Sequence, residues 1–515
     1  MDNHSIRKLE ADLWESADLL RADSKLTSNQ YCMPVLGLIF LRYAYSRFKL
    51  VEQEIMKDRP TRGGRALPVE AGDFVSKSAL FLPKEAQYNY LVNLPADIQS
   101  ANLKSAGGSA MNSLGEVVNN AMELIEEQSE QLKGVLPKDY TMFPDALLSE
   151  LLRIFNNNAL DEVGGDVIGR IYEYVLNKFA KNIAQDDGVF FTPKSLVKMI
   201  VNVLEPKGGV LLDPTCGSGG MFVQTGDFVN QAGMSANSAM TFYGQEKVEY
   251  NAQLCLMNMA VHGLAGAIKS GDEANTFYHD AHNLVGGCDY VMANPPFNVD
   301  KVKSESAGAA GRLPFGLPGV NKNKEVGNAN YLWISCFYAY LNESGRAGFV
   351  MASSATNSQG KDKDIRQKLI ESGHVDVIVS VANNFLYTKS LPCSLWFFDK
   401  GSRKSCGTRC CLLTPGTTTP WWTARSTSGA SGSSKISTPL FGCIAARWRN
   451  IRLCWPNTGQ SLAVRCLLRR SRTGFRTRSR QSATRQRRRQ SRQTAGRKRM
   501  CRPSMTRNSR NWRSA

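Results

Sequence analysis

The spacing of apolar positions divides this chain into four stretches. Residues 1–150 read as mostly helix, and Val117-Val118-Asn119-Asn120-Ala121-Met122-Glu123-Leu124-Ile125-Glu126 is one amphipathic run within them. A segment rich in Gly, Arg and Pro, 59–68, interrupts that unit. Residues 151–187 read as a helical bridge. From 188 to 400 apolar strands alternate with helical patterns, which predicts a mainly parallel sheet wrapped by helices. From 401 to 515 neither the helical nor the strand period is present.

One apolar run, Tyr290-Val291-Met292-Ala293, reads as a buried strand and ends in Asn294-Pro295-Pro296-Phe297. A polar amide and an aromatic ring, held by two prolines at the carboxyl end of a strand, suit the capture of a flat, amino-bearing ring. The Asn294 side-chain oxygen and the Pro295 main-chain carbonyl can each accept a hydrogen bond from an exocyclic amine, and Phe297 can stack on the ring. The prolines fix φ and so aim the acceptors in advance. A strand followed by a plain proline turn is the simpler reading of the tetrapeptide alone.

A second set of strand ends lies upstream. Val210-Leu211-Leu212-Asp213-Pro214-Thr215-Cys216-Gly217-Ser218-Gly219-Gly220 runs from an apolar strand into a Gly-rich turn and then a helix, the first β-turn-α unit of a doubly wound sheet. It lacks both the phosphate-loop pattern and the dinucleotide spacing of glycines. Asp213 at the strand end would repel a pyrophosphate but suits a cationic ligand such as S-adenosylmethionine. Met240-Thr241-Phe242-Tyr243 leads to Glu246, placed to hold ribose hydroxyls, and Ala267-Ile268-Lys269-Ser270-Gly271 leads to Asp272, placed to accept from an adenine amine. Three acidic strand ends in order, followed by Asn294-Pro295-Pro296-Phe297, are hard to explain as packing. Before the first strand, Gly188-Val189-Phe190-Phe191-Thr192-Pro193-Lys194 fits a helix start whose free N–H groups suit the carboxylate of a methionine moiety. An ordinary helix cap is the simpler reading of that segment.

The order Phe-Phe-Thr-Pro, Asp-Pro-x-Cys-Gly-Ser-Gly-Gly, Gly-Gln-Glu, Gly-Asp, Asn-Pro-Pro-Phe resembles the modification subunit of Type I restriction-modification systems, an N6-adenine DNA methyltransferase. Residues 166–174 resemble the family's segment before the catalytic domain, and Pro314-Phe315-Gly316-Leu317-Pro318 and Asn328-Ala329-Asn330-Tyr331 its segment after the catalytic motif. Residues 345–350 and 395–400 resemble its later strands, and Leu13-Trp14, Leu36, Leu38, Phe40, Leu41 and Tyr43 its helical N-terminal domain. The resemblance spans about residues 8–400. Val189 stands where the family often has a polar residue, and Lys194 where Arg is common.

The resemblance implies a Rossmann-like S-adenosylmethionine-dependent methyltransferase sheet at 188–400 behind a helical domain at 1–150. Its cofactor site would comprise Val189, Phe190, Phe191, Thr192, Pro193, Lys194, Asp213, Pro214, Cys216, Gly217, Ser218, Gly219, Gly220, Glu246 and Asp272. Its catalytic residues would be Asn294, Pro295, Pro296 and Phe297, with no metal. The expected partners are double-stranded DNA, one specificity subunit shared by two modification subunits, and a restriction subunit. A protein-glutamine or RNA N-methyltransferase is the other enzyme class that uses Asn-Pro-Pro-aromatic, because an amide also presents an NH2. An inactive, frameshifted remnant is the third reading. A C5-cytosine methyltransferase would need a Cys nucleophile after proline; Pro392-Cys393 has the dipeptide but falls in a family-like core strand.

Charge changes the picture of the tail. The chain's 515 residues carry a formal net charge of +19, yet 27 of the 64 Lys and Arg and none of the 45 Asp and Glu lie in 401–515. The first 400 residues are therefore acidic on balance. The tail also holds seven of the 13 Cys and five of the eight Trp. A basic arm on DNA phosphates is one reading. A zinc site at Cys406, Cys410 and Cys411 is a second, with poor spacing and no nearby His. Out-of-frame translation fits better: codons for Thr414 to Arg425 exist whose one-base shift reads D-A-R-H-Y-Y-T-V-V-D-R, a family-like segment. The tail is then expected to be disordered and the family's C-terminal helical region to be missing. The other Cys show no framework spacing, and no apolar run reaches the ~20 residues that cross a bilayer, so a cytoplasmic protein with reduced thiols is expected.

Overall fold

A strand covered on both faces must be apolar on both, whereas a helix needs only one apolar stripe. The chain sorts itself on that rule. In this computed structural model the described residues are 3–24, 26–57, 59, 61–62, 65–66, 69–75, 77, 79–156, 169, 171–176, 178–179, 192–381, 392–401, 411–413, 452–454 and 461–463.

The N-terminal unit is built on α1 (Asn3–Ser24), α2 (Ser28–Lys57), α3 (Leu114–Glu127) and α4 (Asp145–Phe155). The amphipathic run expected at 117–126 lies inside α3. That helix starts where Ser113 Oγ accepts the Glu116 N–H at 3.2 Å, satisfying one of the donors a helix end leaves free. Its inward face, Val117, Val118, Ala121 and Ile125, packs with Leu36 and Phe40 of α2 and Leu148 and Leu152 of α4. Of the bridge expected at 151–187, residues 157–168, 170, 177 and 180–187 lie outside the described residues.

The second unit runs α5 (Lys194–Leu204), β1 (Gly209–Asp213), α6 (Gly220–Gln231), β2 (Met240–Glu246), α7 (Glu249–Val261), β3 (Gly266–Ser270), β4 (Cys288–Ala293), α8 (Asn330–Tyr340), β5 (Leu341–Ala352), α9 (Lys361–Glu371), β6 (Val375–Val381) and β7 (Cys393–Asp399). With β8 (Cys411–Leu413) these strands make one sheet in the order β8-β6-β7-β5-β4-β1-β2-β3. Every neighbouring pair is parallel except those of β7, which runs antiparallel to both β5 and β6. Alternation along each strand feeds two core layers. Leu211, Met292 and Val350 face Leu196 and Ile200 of α5. Leu212, Val291 and Phe349 face Tyr331, Leu332 and Phe337 of α8.

Two features position the site. Arg346 of β5 donates from Nη2 to the Val203 carbonyl at 2.9 Å and from Nη1 to the Leu204 carbonyl, so the end of α5 is clamped to the sheet. The start of α5 is thereby laid over the opposite edge, where the parallel strands end. The helical unit, in turn, docks on α7: Leu254, Met257 and Val261 belong to the same core as Leu36 and Phe40.

The sequence reads Lys301–Lys324 as one long loop; the structure differs. Val302–Lys303 pairs antiparallel with Glu325–Val326, and Ser304–Ala309 is helical. Arg312 is fully buried, donating to the His279 carbonyl at 2.8 Å and to the Tyr340 hydroxyl at 2.6 Å. A buried cation with fixed partners makes this segment a folded flap rather than a bare loop. In the stretch read as tail, the described residues are Gly401, β8, and Arg452–Cys454 paired with Ser461–Ala463.

Because α7 serves both cores, truncating its buried face should loosen the two units together. Met257→Ala is expected to cost roughly 2–5 kcal/mol and to lower one shared thermal transition. Calorimetry showing the helical unit melting at its parental temperature would contradict the shared core.

Candidate functional site

The carboxyl ends of β1 and β2 are tied by one side chain. Glu246 accepts the Gly217 N–H on Oε2 and the Val248 N–H on Oε1, each at 2.9 Å. The turn after β1 is further held by the Cys216 N–H on the Gln245 carbonyl at 3.1 Å and by Asn258 Nδ2 on the Ser218 carbonyl at 2.8 Å. Two glycines make this path possible. Gly217 and Gly219 sit at φ +51° and +78°, and a Cβ on Gly219 would stand 2.8 Å from Cys255 Sγ. Gly220 then opens α6. The Pro214 carbonyl accepts the Thr276 hydroxyl, which joins this turn to the segment after β3.

Asp213 ends β1 almost fully buried, accepting the Thr215 N–H at 3.0 Å. Burial raises its pKa to about 8; the Thr215 hydrogen bond works against that rise and the Glu246 carboxylate adds to it. Two carboxylates so placed form a site that gains from a bound cation. The Cys216 thiol is pushed well up by its hydrogen bond to the Cys255 thiol and by burial, so it is an inert packing group. Burial likewise lifts Cys393, at the start of β7, to about 12, which removes it as a nucleophile at neutral pH.

At the end of β4, Asn294 Nδ2 donates to Thr192 Oγ1 at 2.9 Å. The Asn294 side-chain oxygen is buried and has no hydrogen-bond partner among the described residues. The Pro295 carbonyl likewise accepts no hydrogen bond among the described residues. The next carbonyl, Pro296, is occupied by Trp333 Nε1 at 3.1 Å. Phe297 is half-buried against the α5 side of the sheet. Beyond it Asn298 adopts φ +56° and exchanges hydrogen bonds with the buried Asn330: its N–H donates to Asn330 Oδ1, and Asn330 Nδ2 donates to its Oδ1, both at 2.9 Å. A left-handed residue locked on both sides is a fixed corner, so the tetrapeptide before it is held rigid.

A cleft of about 340 Å3 joins the two edges. Thr215, Glu246 and Phe277 line one wall, and Pro296 and Trp333 the other. Phe277 and Trp333 meet at a tilt of 36° with ring centres 4.0 Å apart.

Of the residues read from the sequence, Pro214, Glu246 and Pro296 line the cleft; Asp213 ends β1, Cys216 to Gly219 form the turn that Glu246 holds, and Asn294 follows the end of β4. Asp272 stands exposed in the turn after β3 and does not line the cleft. Lys194 is committed to an ion pair with Glu173. Pro193 is the N-cap of α5, its carbonyl accepting the Leu196 N–H at 2.8 Å and the Val197 N–H at 3.2 Å, and the Thr192 hydroxyl accepts from Asn294. Val189, Phe190 and Phe191 lie outside the described residues. Sequence reasoning missed Trp333, Phe277, Thr276 and the Asn298–Asn330 lock. Asn330 was visible in the Asn328-Ala329-Asn330-Tyr331 segment, but nothing in its spacing marked it as a partner of Asn298.

Comparison with known proteins gives consistent matches. The family described as N-6 DNA Methylase matches residues 163–413, and the HsdM N-terminal domain matches residues 9–155. The Type I restriction enzyme MjaIX methylase subunit of Methanocaldococcus jannaschii is 36% identical over 416 residues, covering 76% of this chain and 69% of that protein. The HindI methylase subunit of Haemophilus influenzae is 29% identical over 309 residues, covering 58% and 68%. Among solved structures, the type I restriction-modification system methyltransferase subunit from Streptococcus thermophilus superposes with a TM-score of 0.63 at 18% identity, covering 80% of this chain and 87% of that one. At that identity the superposition speaks for the fold.

The burial of Asp213 has a consequence for stability. Its folded pKa lies above the ordinary value of 3.8, so between about pH 4 and about pH 8 the folded chain keeps a proton that the unfolded chain has released. Raising pH through that window must therefore weaken the fold. Asp213→Asn removes the effect, so its thermal midpoint should gain on the parent's steadily from about pH 5 to about pH 8. A difference that stays constant with pH would contradict the buried, protonated carboxyl.

Proposed function

Because the chain belongs to the family of Type I restriction enzyme methylase subunits, which are N6-adenine DNA methyltransferases, we propose that its cleft holds S-adenosylmethionine and that Asn294 prepares the N6 amine of a flipped adenine. The observation that carries this reading is the unpaired, buried Asn294 side-chain oxygen at the end of β4, beside a cleft that Glu246 and Thr215 line. The residues present suit the cofactor. Asp213 and Glu246 offer acceptors for a cation and for ribose hydroxyls. When bound, S-adenosylmethionine supplies an electrophilic methyl group on a sulfonium sulfur.

The remaining work falls to this chain. An aromatic amine keeps its lone pair in the ring. Hydrogen bonds from the amine to the Asn294 side-chain oxygen and the Pro295 carbonyl pull its hydrogens out of the ring plane, which takes the lone pair out of conjugation and frees it for attack. No covalent nucleophile is needed; positioning and polarisation carry the rate. Phe297 stacks on the extruded base, since a duplex buries N6 in its stack. An uncovered acceptor inside a protein costs about 1–3 kcal/mol, a cost that substrate binding offsets. The flap at 301–324 is proposed to face DNA. The first 400 residues are acidic on balance, and no group of His, Cys, Asp or Glu among the described residues is placed to hold a metal ion. Target choice is therefore assigned to a specificity subunit carrying two copies of this chain, and cleavage to a restriction subunit. A protein-glutamine or RNA methyltransferase is not favoured, because the matches on both units are to Type I methylase subunits.

The tail read from the sequence at 401–515 is proposed to be out of frame; the family match ends at residue 413, which puts the frame change at or before that point. Resequencing the gene across codons 400–413 should reveal a one-base insertion or deletion relative to close relatives. An uninterrupted frame would restore the basic-arm reading.

Asn294→Ala should reduce methyl transfer in the assembled enzyme to background while leaving calorimetric S-adenosylmethionine affinity unchanged, because the amide serves only the amine. Phe297→Ala should weaken engagement of the flipped base by about 1–3 kcal/mol. Normal adenine methylation by Asn294→Ala would overturn the mechanism.

A further inference from the structure

We infer that Asn330 and Trp333, on the first turn of α8, are positioning residues that aim the Pro295 carbonyl at the target amine; this rests on the catalytic reading of Asn294 and Pro295 given above. The hydrogen bonds they make have only one possible direction. A backbone or indole N–H can only donate, and a carbonyl can only accept. The Asn298 N–H donates to Asn330 Oδ1 at 2.9 Å, which fixes the oxygen end of the Asn330 amide. The other end, Nδ2, must then donate, and it reaches Asn298 Oδ1 at 2.9 Å. Asn328 is fixed in the same way: its Oδ1 accepts the Asn330 N–H at 3.0 Å, and its Nδ2 donates to Asn298 Oδ1 at 3.1 Å. Asn298 is thus gripped by main chain and side chain together, at a φ of +56°.

Trp333 lies three positions after Asn330, on the same face of α8. Its Nε1 donates to the Pro296 carbonyl at 3.1 Å, and its ring is pinned between Phe277 and Phe337, with centres 4.0 and 6.0 Å away. That single bond acts on the neighbouring carbonyl. The peptide plane between Pro295 and Pro296 is rigid, and the Pro296 ring fixes φ. The one soft dihedral between the two carbonyls is therefore ψ of Pro296, and the indole holds it. The Pro296 carbonyl is occupied, while the Pro295 carbonyl accepts no hydrogen bond among the described residues. The Ala329 N–H on the Val299 carbonyl, at 2.8 Å, joins the start of α8 to the same loop a third time. The helix itself is anchored: Leu332, Ile334 and Phe337 are buried in the core, and the Tyr331 hydroxyl donates to the Ala355 carbonyl at 2.6 Å. A loop held at Pro296 and Asn298 by one buried helix keeps its open acceptor aimed before the amine arrives.

The test uses the full chain assembled with its specificity subunit, comparing Trp333→Phe, Asn330→Ala, Asn298→Gly, Asn298→Asp and Asn294→Ala. Trp333→Phe keeps a ring but loses the N–H. Asn298→Gly accepts a positive φ without strain but loses the side-chain grip, whereas Asn298→Asp keeps the acceptor that Asn328 and Asn330 hold. Trp333→Phe, Asn330→Ala and Asn298→Gly should each lower kcat about 10- to 100-fold, with calorimetric S-adenosylmethionine affinity and the KM for DNA unchanged. Asn298→Asp should restore kcat to within about threefold of the parent. Unchanged cofactor affinity also shows that a variant is folded, and Asn298→Gly, at an exposed residue, carries the test if Trp333→Phe does not fold. If Trp333→Phe weakens S-adenosylmethionine binding tenfold while kcat at saturation stays parental, Trp333 serves the cofactor as a cleft wall and the inference fails. If Asn298→Asp is as slow as Asn298→Gly, the asparagine grip is not what positions the loop, and the inference fails. If Asn294→Ala is inactive but Trp333→Phe and Asn298→Gly match the parent, the inference alone fails. If Asn294→Ala is active, the catalytic reading itself has failed.

Discussion

At β1 the sheet grows in two directions: β2 and β3 lie on one side, and β4, β5, β7 and β6 on the other. The helices that leave β1 and β4 therefore cover opposite faces, and the turns after those two strands diverge. Neighbouring parallel strands elsewhere have their ends closed by the next crossover; here the ends stay open. Every group in the site depends on that opening. Asp213 and the Gly217 turn sit at the end of β1, Glu246 one strand over, and Asn294 at the end of β4. Residues 81 positions apart, Asp213 and Asn294, thus end neighbouring strands at one edge of the sheet.

The crevice is held rigid by main-chain hydrogen bonds and buried side-chain amides, with little help from surface charge. Glu246 bridges two N–H groups, Gln245 is buried beneath it and accepts the Tyr340 hydroxyl at 3.3 Å, and that same hydroxyl accepts from Arg312. The flap is consequently anchored to the strand that ends in Glu246. On the other edge, Asn298 and Asn330 fix the corner after Phe297. Preorganised acceptors raise a rate because they need not reorient when the amine arrives. The helical unit contributes from behind, through the shared face of α7.

Much of this was legible in the chain. The acidic strand ends and Asn-Pro-Pro-Phe announced the sheet edge because a carboxylate or amide straight after an apolar run has few structural uses. The alternating core of β1 and β4 was equally plain, since strands buried on both faces read as unbroken apolar runs. The remainder rests on tertiary partners that local pattern does not encode. Nothing in Thr192-Pro193 distinguishes a helix cap from a hydroxyl aimed at β4, and nothing in Trp333 predicts that its indole N–H finds Pro296. Asp272 reads like Asp213, yet the turn after β3 leaves it exposed while Asp213 is buried. The flap looked featureless because its helix has six residues and its strands two each, too short for periodicity to register.

The central claim is that the unpaired Asn294 side-chain oxygen receives the target amine. The most direct measurement is the structure of the full chain assembled with its specificity subunit, bound to S-adenosylhomocysteine and to duplex DNA containing its methylation site. The account predicts an extruded adenine whose N6 lies within about 3 Å of both the Asn294 side-chain oxygen and the Pro295 carbonyl, with Phe297 against its ring. An adenine still stacked in the duplex, or an Asn294 oxygen turned onto the cofactor instead, would contradict it.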